Sequence, residues 1–314
     1  MAKPLVVFTH GGGRLGNQLF NVAHLWAWQE QMHPEARLCV LPFWPFAQLY
    51  SFPEADPGMV RGKASTFLRW AYGLYCRLPH PWNRRWMKTV GGLLRVWGTM
   101  AGWMQRHLPH ADRIVLELSD DGFNRQVQQA QTTLLSGWLL RSWTLVEQQQ
   151  QRLRTAIQPD IAFAASAASF VQAFRLNLDL VVGVQIRHGD YKTWQDGKYF
   201  FSTAEVAAQM RAIEAAYPDK RVGFLVTSDE LQDESAFEGL NWCWSQGAAQ
   251  RGGHFLLSIL ELGHCDLIVA PHSTFSAWAA LYGDKPLFWM RRGDLSFKPA
   301  SAVKLSALKD HWFI

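Results

Sequence analysis

The run Leu180–Ile186 (LVVGVQI) carries no charge, is more than half β-branched, and gives way at once to Arg187-His188-Gly189-Asp190-Tyr191. An apolar run of this length, closed by polar residues and glycine, is the pattern of a strand buried on both faces, as in a parallel sheet covered by helices. The pattern recurs along the second half of the chain. Ser202-Thr203-Ala204-Glu205 is a capping box that opens a helix to about Ala216. Arg221–Val226 is a strand ending in Thr227-Ser228-Asp229-Glu230, and a helix over Phe255–Gly263 leads to a strand over Asp266–Ala270. Ser273-Thr274-Phe275-Ser276 begins another helix, and Pro286–Met290 is a last strand. Strands alternating with helices in this way predict a parallel sheet whose ligand lies along the carboxyl ends of the strands.

The first half opens similarly. Pro4–Thr9 (PLVVFT) reads as a buried strand, followed by Gly11-Gly12-Gly13-Arg14-Leu15-Gly16-Asn17-Gln18 and then a helical pattern with Leu19, Val22, Ala23 and Trp26 on one face. Arg113–Leu118 and Thr133–Trp138 are further strands, and residues 144–175 read as helical. The chain is therefore expected to be α/β, with one domain over 1–177 and a second over 178–314, although no linker composition marks the boundary.

Hydrophobic residues at 48% and charged residues at 18% exclude a disordered chain. Cys39, Cys76, Cys243 and Cys265 are widely spaced, which argues against a disulfide framework or a zinc site and for free thiols. The N-terminal apolar run is too short for a signal peptide, and no apolar stretch is long enough to span a bilayer. The expected location is the cytoplasm, with the inner face of the cytoplasmic membrane as a peripheral address.

The 31 basic and 26 acidic residues are unevenly placed. Between Asp56 and Asp112 there is no acidic residue, and the same interval holds Arg61, Lys63, Arg69, Arg77, Arg84, Arg85, Lys88, Arg95 and Arg106. Without those nine, the chain has 22 basic against 26 acidic residues, so its basicity is local. The interval also carries Trp70, Trp82, Trp86, Trp97 and Trp103, and Trp86, Val90, Leu93, Trp97, Met100 and Met104 recur at helical spacing. A basic helix with tryptophan on its apolar side suits an anionic membrane surface. An ordinary core helix with a solvated basic rim fits the same pattern. Nucleic acid would also attract it, but no nucleic-acid motif accompanies the charge. Gly91, Gly92 and Gly98 weaken the helix, at roughly 1 kcal/mol each.

Three polar clusters fall at the ends of successive strands in the second half. Arg187 follows a buried strand, where a guanidinium can grip a phosphate with two N–H groups. Ser273, Thr274 and Ser276 stand where a strand turns into a helix, a place for an anion at the positive end of the helix dipole. Asp229 and Asp266 can accept hydrogen bonds from sugar hydroxyls or base N–H groups. Each residue has a plainer reading: Arg187 as a partner of Asp190, Ser273 as a helix cap, Asp229 as a turn residue. No Walker lysine is present, and Glu35 precedes the next strand rather than ending it, so neither an NTPase loop nor a dinucleotide fingerprint is indicated. His188, His254, His264 and His272 show no ligand spacing, and Asp120-Asp121 runs into Gly122 as a surface turn. The clusters describe a nucleoside-diphosphate pocket without a metal.

Gly13-Arg14-Leu15-Gly16-Asn17-Gln18-Leu19-Phe20 is very similar to the G-R-L-G-N-Q-[ML]-F motif of the GDP-fucose-dependent fucosyltransferases, especially the bacterial α-1,2 group. The α-1,6 and protein O-fucosyltransferases are relatives of that group. Gln185–Tyr191 resembles the family's H-x-R-R-G-D-Y, and Phe224–Glu230 its F-[SF]-D-D strand end. Leu262–Ala279, through Cys265-Asp266 and Ser273–Ala279, is similar to L-x-x-C-D-x-x-I-x-[SA]-N-S-T-F-S-W-W-[AG]. The four motifs keep the family's order over residues 13–279, and residues 55–110 match nothing in it.

The resemblance implies a GT-B architecture, two Rossmann-like domains facing a cleft. The first would be an acceptor-side domain carrying the basic insertion at about 57–111, the second a donor domain. It implies inverting, metal-independent transfer of fucose from GDP-β-L-fucose to a hydroxyl of a glycan acceptor in bacterial surface polysaccharide synthesis, and the basic Trp-rich segment would bring the enzyme to a lipid-linked acceptor. On this reading Arg187 holds the β-phosphate, and Ser273, Thr274, Phe275 and Ser276 complete the phosphate site. Asp266 reads guanine, Ser228 and Asp229 lie near the nucleotide, and Asn17 with Gly13, Arg14 and Gly16 faces the fucose. Asp190 is the first choice of general base, or else the group that orients Arg187, and Asp196 is the second choice. Gln185 stands where the family has His, and His188 where it has a second Arg, which removes one positive charge from the pocket. The same fold using another nucleotide sugar, or a non-catalytic binding relative, is the alternative.

Overall fold

The computed structural model describes residues 3–11, 13–108, 116–118, 120–137 and 140–304. Two compact units divide the chain, one up to Asp160 and one from Ile161. The division falls ahead of the expected 177/178 boundary because the helix over Ile161–Phe174 belongs with the second sheet. Its Val171 shares a core with Val181, Leu225 and Cys265. Pro159 ends the preceding segment, so the expected continuous helix over 144–175 is broken. Short helices at Trp143–Gln148 and Gln150–Ala156 give way to an extended Gln158–Pro159, as the missing proline N–H and the bias of the residue before it require.

In the first unit β1 (Leu5–His10), β2 (Arg37–Val40), β3 (Met104–Leu108) and β4 (Thr132–Gly137) form a parallel sheet in the order β2-β1-β4-β3. Helix α1 (Leu15–Met32) follows β1 directly. The expected one-sided burial of α1 understates what occurs. Leu19, Phe20, Val22, Ala23, Leu25 and Trp28 are all buried, with Phe20 and His24 packed against Trp143 at 5.7 and 4.6 Å. Helices α2 (Thr66–Arg77) and α3 (Trp82–Met100) contribute Leu68, Val90 and Leu94 to one core with Val7, Cys39 and Leu134 of the sheet. Helix α4 (Asp121–Gln129) is capped by Asp120, whose Oδ1 accepts the Phe123 N–H at 2.6 Å, so Asp120-Asp121 opens a helix rather than a turn. The predicted strand at 113–118 is described only from residue 116, where Leu116–Glu117 pairs with Leu140–Arg141; Gly12 and Trp138 also lie outside the described residues.

The second unit carries β5 (Leu180–Ile186), β6 (Val222–Ser228), β7 (Trp242–Trp244), β8 (Leu267–Ala270) and β9 (Leu287–Trp289). Their order is β7-β6-β5-β8-β9, all parallel. Helices α5 (Ile161–Phe174) and α7 (Phe255–His264) cover one face, and α6 (Thr203–Ala215) covers the other through Val206, Met210 and Ile213. Helix α8 (Thr274–Gly283) packs against α7. The Ser202–Glu205 capping box forms as expected. Gly183 lets α7 approach β5, since a Cβ there would stand 2.6 Å from Leu262 and 3.0 Å from Cys265 Sγ. All four cysteines are free. No described helix is long and apolar enough to cross a membrane.

The glycines of α3 act oppositely to one another. A Cβ at Gly98 would press to 2.9 Å on Leu134 Cδ1, whereas at Gly92 it would meet nothing within 4 Å. Gly92→Ala should therefore stabilise the chain by up to about 1 kcal/mol through helix propensity, and Gly98→Val should cost about 1–3 kcal/mol by overpacking. Urea unfolding of the two variants checks both signs.

Candidate functional site

Because β6 and β7 lie on one side of β5 while β8 and β9 lie on the other, the chain reverses direction between β5 and β8. Such a switch point opens a crevice at the carboxyl ends of the strands. Arg187 leaves β5 at that edge and Ser273 leaves β8 there, so the two motifs flank the crevice.

The Arg187 side chain is held by two carboxylates: Nη1 meets Asp229 Oδ2 at 2.8 Å and Nη2 donates to Asp190 Oδ1 at 2.6 Å. Asp229 Oδ1 also accepts the His188 backbone N–H at 2.8 Å, which fixes that carboxylate from two sides. Gly189 is required beside it, for a Cβ there would stand 2.6 Å from Asp229 Oδ2. Asp190 is more open, its side chain 49% exposed against 16% for Arg187. Across the crevice, Ser273 Oγ accepts the Phe275 N–H at 3.2 Å and caps α8, while Ser276 Oγ donates to Ser273 O at 3.1 Å. The other N–H groups of this first turn have no intrahelical acceptor and point toward the positive end of the dipole. Thr274 and Phe275 are half-buried in that turn. Tyr191 joins the two sides: its ring lies 5.6 Å under the Arg187 guanidinium and its hydroxyl donates to His272 O at 2.7 Å. Burial pushes the Tyr191 phenol up to about 12, so it stays protonated and keeps donating. The arrangement offers a fork of N–H donors and a helix N-terminus to a doubly anionic group.

An aromatic wall beside Arg187 has no counterpart in the sequence reading. Tyr191 meets Trp194 at 5.2 Å, Trp194 stacks on Tyr199 at 5.2 Å, Tyr199 on His272 at 5.4 Å, and His272 touches Trp289 at 4.1 Å. The carrying segment is pinned by Arg292 Nη1, which donates to Gly197 O at 3.1 Å, and by the Lys192–Glu230 ion pair at 2.7 Å. Aromatic residues spaced irregularly through a loop give no periodic signal. Asp196 lies on this segment in a left-handed backbone conformation, φ 56°, and is exposed.

Further along the same edge, after β7, a buried polar chain runs from Thr227 Oγ1 to Ser258 Oγ at 2.7 Å and on to Ser245 Oγ at 2.8 Å. Glu261 Oε2 accepts the Gln246 N–H at 3.0 Å, and its Oε1 has no hydrogen-bond partner among the described residues. Gly247 permits this close packing, since a Cβ there would stand 2.6 Å from both His254 O and Ser258 Oγ. A glutamate within an apolar helix was the signal that could have found this group.

Other expected site residues fall elsewhere. Asp266 precedes β8 and sits at the amino end of the sheet, about 13 Å of strand from Ala270. Its Oδ2 takes Arg175 Nη1 at 2.5 Å and the Val181 N–H at 2.9 Å, so it braces the opposite edge and does not join Arg187 and Ser273. His188 turns inward. Its Nε2 pairs with Phe201 O at 2.8 Å and its Nδ1 with Gln232 Nε2 at 3.1 Å, so it pins a loop rather than lining the pocket. Ser228 is likewise engaged with Glu230, its Oγ donating to the carbonyl at 2.7 Å. Gln185 is buried in β5, with Oε1 unpartnered among the described residues. Gly13, Arg14, Gly16 and Asn17 lie in the first unit, at the turn from β1 into α1. Gly13 has φ 92°, and a side chain there would collide with Asn17. Arg14 is exposed, Gly16 is buried, and Asn17 Oδ1 is buried with no partner among the described residues. Among the described residues, no group of three His, Cys, Asp or Glu is arranged to hold a metal.

No protein-family model matches the chain, and no curated protein matches it in sequence. Solved structures do match it in fold. A mutant of Arabidopsis thaliana FUT1 in complex with GDP superposes with a TM-score of 0.58 at 12% identity, covering 97% of this chain and 74% of that one. A NodZ α-1,6-fucosyltransferase co-crystallised with GDP gives 0.55 at 16%, covering 92% and 96%. The fucosyltransferase NodZ from Bradyrhizobium gives 0.54 at 15%, covering 94% and 97%. The fold is therefore α/β with parallel sheets, of the GT-B type seen in fucosyltransferases.

Burial raises the Glu261 carboxyl from 4.5 to about 7. A carboxyl raised in the folded state binds its proton more tightly there than in the unfolded chain, so it favours folding at acid pH. That contribution is lost as pH rises from about 4.5 through about 7. Glu261→Gln should flatten the melting temperature across this window and raise it above that of the parent at alkaline pH, as measured by thermal unfolding against pH.

Proposed function

We propose that this protein, which has the fold of GDP-fucose-dependent fucosyltransferases, transfers fucose from GDP-fucose to a glycan hydroxyl. One observation carries the reading: Arg187 stands at the switch-point edge of the second sheet opposite the Ser273-capped N-terminus of α8. That pairing suits a diphosphate leaving group. In the transfer, the acceptor oxygen bonds to C1 of the sugar from the face opposite the diphosphate, and the C1–O bond to phosphate breaks with inversion. The electron pair leaves on GDP, where Arg187 and the α8 dipole balance the growing charge; no metal is needed for that role.

Asp190 is the proposed base. Its carboxylate lies on the Arg187 guanidinium. A donor phosphate competes for the same N–H groups and frees the half-exposed carboxylate to take the acceptor proton. Asp229, held also by the His188 N–H, keeps the guanidinium in place meanwhile. The wall of Tyr191, Trp194 and Tyr199 gives a sugar or base a face to stack on. The motif likeness to the α-1,2 group supports an α-1,2 linkage and a bacterial surface polysaccharide as the product.

Arg187→Lys keeps the charge and removes the fork. It should leave the melting temperature within a few degrees of the parent and lower transfer about a hundredfold to a thousandfold. Calorimetric binding of GDP, GDP-fucose, GDP-mannose and UDP-glucose, with EDTA present, tests the donor. Guanine-selective binding and release of GDP on adding glycan are expected. Selective binding of UDP-glucose, or binding without any release, overturns the reading.

A further inference from the structure

The helical hairpin of α2 and α3 presents a surface that the core does not use. At about 100° per residue, α3 divides into three sectors. One sector, with Val90, Gly91, Leu94 and Gly98, is buried against the sheet. A second carries Arg84, Arg85, Lys88 and Arg95, all exposed. The third carries Trp82, Leu93, Val96, Trp97 and Met100, which are 57, 49, 64, 54 and 83% exposed. The stripe expected over Trp86–Met104 is therefore not one face. Val90 faces the core, Leu93, Trp97 and Met100 face outward, and Met104 belongs to β3.

The exposed aromatics are continuous across the two helices. Trp70 of α2 meets Trp86 at 5.4 Å, Phe67 meets Trp97 at 6.3 Å, and Trp97 stacks on Trp103 at 5.7 Å. Trp70 is itself 57% exposed. Trp86 Nε1 donates to Ala71 O at 2.9 Å, which fixes the ridge between the helices. Arg77 ends α2 on the same side, and Arg77, Arg84, Lys88 and Arg95 form no ion pair with another described residue. No acidic residue occurs anywhere from 57 to 111 to repel an anionic partner.

We propose that this hairpin docks the protein on the surface of an anionic phospholipid bilayer. Trp70, Trp82, Trp97 and Met100 enter the headgroup layer, and Arg77, Arg84, Arg85, Lys88 and Arg95 meet lipid phosphates beside them. Tryptophan settles at that depth because its ring is apolar and its N–H is polar. Exposed apolar residues on a solvent-facing helix are unfavourable in water alone, and burial at an interface removes the cost. The cations supply attraction to an anionic surface that a second copy of the same positive hairpin would not.

Cosedimentation of the full chain with vesicles of phosphatidylcholine, with and without phosphatidylglycerol, tests it. The parent should sediment only with the anionic vesicles, and less at high salt. Arg84→Glu, Arg85→Glu and Lys88→Glu combined should lower the partition coefficient about a hundredfold, at roughly fivefold per lost cation. Trp82→Ser, Trp97→Ser and Met100→Ser combined should lower it about tenfold or more and abolish quenching of tryptophan fluorescence by brominated acyl chains. All six positions are exposed, so both variants should keep the parent's melting temperature and its binding of GDP. Equal recovery with neutral and anionic vesicles, or recovery unchanged by charge reversal, overturns the proposal. So does a concentration-dependent dimer that the apolar variant abolishes, since it would assign the face to a second copy.

Discussion

The carboxylate of Asp229 is the point on which the second unit's strand ends depend. It takes the His188 N–H on one oxygen and the Arg187 guanidinium on the other, and so ties the end of β5 to the end of β6. Arg187 thereby stays within reach of the crevice, and the loop that follows is free to turn only because position 189 is glycine. A two-point hold on a planar guanidinium fixes direction as well as place, which a lysine could not do.

Around that hold the rest of the edge is built from groups that satisfy one another. His188 spends both ring nitrogens on Phe201 and Gln232, and Tyr191 spends its hydroxyl on the backbone of His272. Thr227, Ser258 and Ser245 form a closed relay of hydroxyls, and Glu261 fastens the Gln246 backbone. Buried polar groups with partners cost little and specify one arrangement, whereas unsatisfied ones cost the full desolvation. Among the described residues, Gln185 Oε1, Glu261 Oε1 and the Gln250 amide are buried without such a partner.

The first unit shows the reverse economy. Its sheet is covered so fully by α1 that the helix is buried on nearly every side, yet α3 leaves a third of its circumference apolar and wet. Gly91 and Gly98 explain how α3 can lie so close to the sheet; a Cβ at Gly91 would come to 3.1 Å from Thr9 O. Close packing on a narrow face pushes the neighbouring apolar residues outward, where the core cannot reach them.

The sequence by itself determined several of the strands, since an uncharged, largely β-branched run such as Leu180–Ile186 suits a strand buried on both faces, and it determined the capping box at Ser202, but it did not show the strands Met104–Leu108 and Trp242–Trp244. It also placed Arg187, Asp229 and Ser273 at strand ends, because a strand's polarity and its flanking residues are local properties. What tertiary structure decided was which of those ends share an edge and which side chains turn inward. Asp266 and Ser273 flank the two ends of one short strand and so lie at opposite edges of the sheet, but that Asp266 braces Arg175 and the Val181 N–H was decided by the packing of other segments. His188 sits one residue from Arg187, but alternation along extended backbone points it into the core while Arg187 points out. The aromatic wall of Tyr191, Trp194, Tyr199, His272 and Trp289, and the choice of which sector of α3 is buried against the sheet, depend on contacts between distant segments. Local spacing carries no record of such contacts.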